Sequence, residues 1–208
     1  LFLNKYSPAY IRPPRRIPEN ESFTFDITTY QVDDYLRLFD STLGGFNNSH
    51  VDGRIHTENN ELAFNAEVPQ FRYRDYVFDD VKLNARGNRH DLALSGSASN
   101  IQLRDSLNIP LAVFDIQARN DSSRVRIRTG ATQAINQTNL NGEVLTYGNG
   151  VKIRFASSSF VLNGKTWTID EKGELELRDN MPASGEVVLL GEVSEDIPLL
   201  ERAARKLI

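Results

Sequence analysis

From Val51 to about Leu190 apolar and polar residues alternate almost throughout. A period of two belongs to strands with one face turned to a core. The alternating segments are Val51–Thr57, Leu62–Val68, Phe71–Tyr73, Val81–Ala85, Leu92–Ala98, Ile101–Leu103, Phe114–Ala118, Val125–Thr129, Val151–Phe155 and, in pieces, Phe160–Leu177. Clusters of Gly, Asn, Asp and Ser separate them, as turn chemistry requires. Phe23, Phe25 and Ile27 add a strand over 22–28. Asn163-Gly164 is a favoured pair for a type I′ turn. Closing a hairpin there sets Val161 opposite Thr166 and Phe160 opposite Trp167.

Two stretches carry a helical period instead. Val32, Tyr35, Leu36, Phe39 and Leu43 predict a helix over 31–43, stopped by Gly44-Gly45, with its apolar stripe packed on the adjacent sheet. Leu199, Leu200, Ala203 and Leu207 predict a second over 197–207, capped by Ser194 or Asp196, with Arg202, Arg205 and Lys206 suiting its C-terminus. Residues 1–20 hold Pro8, Pro13, Pro14 and Pro18, a density that forbids regular structure and predicts a solvated lead-in. The organisation expected is therefore an irregular, Pro-rich 1–20, a β-repeat segment 21–190 and a helical 191–208.

The strands repeat as a unit. Glu61-Leu62-Ala63-Phe64 matches Asp91-Leu92-Ala93-Leu94, and Phe71–Asp75 matches Ile101–Asp105, at an offset of 30. Val81–Asn88 matches Phe114–Asp121 at 33, anchored by the Ala-Arg pairs at 85–86 and 118–119. A fainter third copy begins at Arg124. A strand-only period near 30 implies antiparallel units that bury their apolar faces against neighbours.

Composition narrows the function. Hydrophobic residues make up 39% of the 208, below a globular share of about 45–50%, which suits an open sheet. With 24 basic and 28 acidic residues the net charge is -4, so nucleic acid is not the expected partner. Absence of cysteine removes thiolate chemistry and zinc–thiolate sites. No apolar run is long enough to cross a bilayer as a helix. The chain opens on Leu1, and a piece of a longer protein is expected.

No catalytic constellation emerges. His50, Asp52, Arg54 and His56 share one strand face, but His50 and His56 stand about 20 Å apart by strand geometry. No shared metal is expected, and no cofactor. Asp79-Asp80 and Glu174/Glu176 read as solvated faces rather than an acid–base pair, which needs an enclosed site. Arg124, Arg126 and Arg128 read as an edge-strand charge row that blocks aggregation. Asn20, Asn47, Asn120 and Asn136 open Asn-x-Ser/Thr sequons, relevant only in a secreted eukaryotic protein.

Gly150-Val151-Lys152-Ile153-Arg154-Phe155, followed by Phe160-Val161-Leu162-Asn163-Gly164-Lys165-Thr166-Trp167-Thr168-Ile169-Asp170, resembles TamB-type proteins of the AsmA-like superfamily in their Bacteroidetes-like versions. The resemblance extends over roughly 20–180. It implies a segment of an inner-membrane-anchored protein that crosses the periplasm of a Gram-negative bacterium. Antiparallel strands there curl into a taco-like trough with an apolar inside. Its implied work is phospholipid transport towards the outer membrane, or outer-membrane protein assembly with an Omp85-type barrel. On this reading the chain is not an enzyme, and its groove is lined by Leu62, Phe64, Ala66, Val81, Leu83, Leu92, Leu94, Phe114, Ile116, Val125, Ile127, Ile153 and Phe155. In a closed β-sandwich the same residues are ordinary core, and an adhesin or carbohydrate-binding module with Tyr73, Tyr76 and Tyr147 as exposed aromatics is the alternative function. Periodicity alone leaves both open.

Overall fold

The computed structural model describes residues 6, 8–9, 21–58, 61–88, 90–103, 107–130, 135–162, 164–191 and 205–207. The chain is mainly β. Among the described residues fifteen strands join one antiparallel sheet, with one short helix beside it. Strand β1 (Ser22–Thr28) precedes helix α1 (Asp33–Phe39), then β2 (Leu43–Gly45) and β3 (His50–His56). A meander of long strands follows: β4 (Glu61–Tyr73), β5 (Tyr76–Gly87), β6 (Leu92–Leu103), β7 (Leu107–Arg119), β8 (Ser122–Thr129) and β9 (Ile135–Tyr147). The last part holds β10 (Gly150–Phe155), β11 (Ser158–Leu162), β12 (Lys165–Ile169), β13 (Glu174–Arg178), β14 (Ser184–Gly191) and β15 (Arg205–Leu207). β1 pairs with β3, and from β3 to β10 sequence neighbours are also sheet neighbours. Such a meander needs only short turns.

Several expected strand breaks lie inside continuous strands. Leu62–Val68 and Phe71–Tyr73 merge into β4 through Pro69, and Leu92–Ala98 and Ile101–Leu103 merge into β6 through Ser99-Asn100. In register, Pro69 stands beside Asp80, Asp80 beside Ser99, and Ser99 beside Leu111, each between flanking paired residues. Asp80 and Leu111 both have φ of +47°. Gly130 ends the line by donating its N–H to the Pro110 carbonyl at 2.9 Å. Across this line the apolar positions change parity, from Val68, Val81, Ala98 and Ala112 to Phe71, Phe78, Ile101 and Ile109. Beyond it Phe46 packs on Phe71 and Phe71 on Phe78, with ring centroids 5.2 and 5.3 Å apart. A left-handed leucine costs about 1–2 kcal/mol, and Leu111 is 55% exposed, so little packing offsets it. Leu111→Gly is expected to raise stability by about 0.5–1 kcal/mol after the entropy cost of glycine. An increased urea midpoint checks this; an unchanged one contradicts it.

The repeat is a hairpin, β4–β5 and then β6–β7. Leu83 pairs with Gly96, which pairs with Phe114. Leu83 and Phe114 are therefore equivalent across the two units at an offset of 31, two residues from the Ala-Arg register. An even slip keeps every side chain on its face. The Asn163-Gly164 hairpin closes as expected, with Phe160 opposite Trp167, Val161 opposite Thr166, and Gly164 at φ +75°; Asn163 itself lies outside the described residues.

The helices depart from expectation. Helix α1 covers only Asp33–Phe39. The Asn47 side-chain oxygen accepts the N–H groups of Val32 and Asp33 (2.7 and 3.3 Å) at its start. At its end the Asp40 carboxylate accepts both the N–H and hydroxyl of Thr42, which holds that carboxyl below its usual pKa. Gly44-Gly45 are not its stop; they lie in β2, paired to Arg72 and Phe71 of β4. Nor is its apolar stripe packed throughout, because Tyr35 is 68% exposed. Instead Asp33 ties the helix to the sheet through Arg72 at 2.6 Å. At the C-terminus Arg205–Leu207 is strand, paired to Val187–Leu189, not the end of a helix. The rest of that expected helix lies outside the described residues.

Candidate functional site: an apolar sheet face

Cross-strand partners lie on the same face of a pleated sheet, so the pairing register shows which side chains stand together. One row runs Phe25, Gly53, Phe64, Ala85, Leu94, Ile116, Val125, Gly142, Phe155, crossing nine strands. A second contains Ile55, Leu62, Gly87, Leu92, Ala118, Ser123, Val144, Ile153 and Leu175. A third contains Val51, Ala66, Leu83, Gly96, Phe114, Ile127 and Leu140. Val81 opens a fourth beside Val68. All thirteen residues expected to line a groove thus fall in four adjacent rows on one face. From Leu62 to Val68 these rows span about 20 Å along the strands, and nine strands span about 40 Å across them.

Large side chains in the rows face small ones. A Cβ at Gly53 would meet the Phe25 ring at 2.6 Å, and one at Gly96 would meet the Phe114 ring at 2.5 Å and Leu83 at 2.7 Å. Aromatic rings cover cross-strand glycines, a recognised way to stabilise glycine within a sheet. Burial is uneven. Ala66, Val68, Ala85, Ala98 and Ala112 are buried, whereas the other twelve of the thirteen, including Phe64, Phe114 and Ile127, are half-buried. In a sealed core large apolar side chains such as Leu, Ile and Phe are commonly fully buried; here they are half-buried.

One end of this face carries a residue of the Pro-rich stretch expected as a solvated lead-in. Tyr6 is 2% exposed. Its ring lies over Gly87, where a Cβ would meet the Tyr6 hydroxyl and ring, and its hydroxyl donates to the Asn88 carbonyl at 2.6 Å. Burial, then the nearby Asp91 carboxylate, raises its phenol pKa above the ordinary 10.0. Asp121 donates its N–H to the Tyr6 carbonyl (2.9 Å), and Ala9 donates its N–H to the Asp121 carboxylate (2.8 Å). A tyrosine in a Pro-rich stretch without a period gives no signal of burial.

The opposite face is polar and internally paired. Asp52, Asn65 and Asn84 form a ladder, with the Asn65 amide donating to Asp52 at 2.9 Å and the Asn84 amide to Asn65. His50 lies 3.7 Å from Asp26 and 3.8 Å from Asp52. Among the described residues no three His, Cys, Asp or Glu side chains stand close enough to hold one metal. Asp79 is held by the Gln70 and Asn100 amides at 3.0 and 3.1 Å, and Asp80 by Ser99 at 2.8 Å. Glu174 meets Lys152 at 2.8 Å. Glu176 meets Arg178 at 2.7 Å, a contact that lowers the Glu176 pKa. The arginine row is not at an edge: β8 lies between β7 and β9, and Arg128 meets Asp115 at 3.7 Å. The tyrosines form no platform. Tyr73 and Tyr76 pair at one end of β4 and β5, while Tyr147 ends β9 beneath the Arg178 guanidinium at 3.9 Å. No helix among the described residues is long and apolar enough to cross a membrane. No family model, curated protein or solved structure matches this chain.

Proposed function

We propose that this chain is a non-catalytic, lipid-carrying segment of a cell-envelope protein, and that its apolar sheet face holds phospholipid acyl chains. The observation that carries the reading is the half-burial of one continuous apolar face across nine strands. Its height of about 20 Å exceeds the acyl depth of one bilayer leaflet, about 15 Å, so an acyl chain fits within it. Each methylene it withdraws from water contributes about 0.8 kcal/mol. In this reading the sheet curls about the face as a taco-like trough, and the line through Pro69, Asp80, Ser99 and Leu111 marks one rim. The resemblance to TamB-type proteins supports a periplasmic setting within a longer, inner-membrane-anchored protein, and an Omp85-type barrel as partner.

Native mass spectrometry of the chain purified from a Gram-negative host tests the reading. Phospholipid adducts removed by mild activation are expected. A bare polypeptide mass at the lowest activation energy, with no lipid in a solvent extract, contradicts it.

A further inference from the structure

We propose that a cleft on the polar face, across β1, β3, β4 and β5, binds an acidic oligosaccharide, with Arg54 and Arg86 clamping its carboxylate. None of the side chains involved lines the apolar face, so the site stands whether or not that face holds lipid. Two rows of the polar face meet in the cleft. Thr24, Arg54, Ala63 and Arg86 form one, and Asp26, Asp52, Asn65 and Asn84 form the other. Phe25 and Leu62 border it too but belong to rows of the apolar face. Its volume is about 770 Å³, in the range of small-molecule sites, about 300–1,000 Å³, and far more than a bare anion fills.

Ala63 makes the clamp possible. It stands between Arg54 and Arg86 in register, so the two arginine backbones lie about 10 Å apart, across two strand spacings. Its methyl group leaves the space between the two exposed arginines open. Arginine side chains are long enough to converge on one anion over that floor, and their forked N–H groups fit a carboxylate. The second row supplies what sugar hydroxyls need. Asn65 donates to Asp52, and Asn84 donates to Asn65, which orients both amides and leaves each a further N–H. The Asp26 and Asp52 carboxylates accept from hydroxyls. A hollow of about 390 Å³ shares Asp52 and Asn65 and continues past His50, Glu67 and Lys82, so more than one sugar ring can lie along the strands. Two cations beside amides and carboxylates select a ligand that is both anionic and hydroxylated; hydrocarbon there would desolvate polar groups without replacing their hydrogen bonds.

Isothermal titration calorimetry with trigalacturonate tests this, with maltotriose as a neutral trisaccharide. The unmodified chain is expected to bind trigalacturonate, and maltotriose about tenfold more weakly or worse. Arg54→Gln and Arg86→Gln lie at exposed positions that leave the fold intact, and each is expected to weaken trigalacturonate binding about tenfold. Arg154 lies on the same face outside the cleft, 3.8 Å from Glu143; Arg154→Gln is expected to stay within about twofold of the unmodified chain. Absence of trigalacturonate binding overturns the site. So does equal affinity in all three variants, whether kept or lost, because it leaves at most a general attraction of charge. Maltotriose binding as tight as that of trigalacturonate, or displacement of trigalacturonate by equimolar inorganic phosphate, overturns it too.

Discussion

Gly96→Ala is expected to destabilise the sheet by about 1–3 kcal/mol, the usual cost of overpacking. The intrinsic preference runs the other way. Glycine inside a strand loses more conformational freedom than alanine, so in open space the change would stabilise by about 0.5–1 kcal/mol. Space decides the sign. A Cβ at Gly96 would stand 2.5 Å from the Phe114 ring, 2.7 Å from Leu83 and 2.7 Å from the Lys82 carbonyl oxygen. Side chains can rotate away, but the carbonyl belongs to the hydrogen-bonded neighbour strand and moves only if the ladder moves. Gly96 is also the third-row position between Leu83 and Phe114, so the shift reaches both. A fall in melting temperature of about 2–12 °C follows for a chain of this size. A rise would mean that Phe114 does not lie over Gly96.

Phe64→Glu and Ile127→Glu are expected to remove lipid binding while costing only about 1 kcal/mol of stability each, since neither side chain is fully buried. A carboxylate on a sealed core face has no water and no partner; such a change ordinarily costs several kcal/mol and unfolds a marginal domain. On an open face the carboxylate is hydrated in the lipid-free protein, and its penalty appears only when hydrocarbon arrives. The two measurements therefore separate the open face from the sealed sandwich. Near-unchanged melting with lost lipid capture supports the former. Collapse of the fold in both variants supports the latter, and with it a binding module.

Much of the sheet is legible in the residue pattern, because a period of two assigns a face without reference to neighbours. That is why thirteen residues chosen from alternation alone stand in adjacent rows, and why Asn163-Gly164 fixes the Phe160–Trp167 register. What alternation does not encode is the state of the chain where it fails. At Pro69 and at Ser99-Asn100 it fails because the apolar parity changes while the strand continues; a turn gives the same signal. The Ala-Arg pair misplaced the second unit by two residues, since an even slip is silent in a two-residue period. Strand β9 is rich in Asn, Gln and Thr around residues 136–141, so its period is faint and the sheet supplies its pairing. The same lack of context made β8 an edge strand, although β9 covers it. The strand at Arg205–Leu207 is short, and its apolar residues fit a helical spacing equally well.

Photocrosslinking across three strands tests the central claim most directly. A photoreactive amino acid is placed in turn at Phe64, Leu94 and Ile127 on the apolar face, and at their neighbours Asn65, Ser95 and Arg126 on the other. Each chain is then irradiated with phospholipid vesicles. Lipid adducts at the first three positions and none at the second three are the predicted result. Adducts of equal yield on both faces, or none on the apolar one, would contradict an acyl-chain-holding sheet.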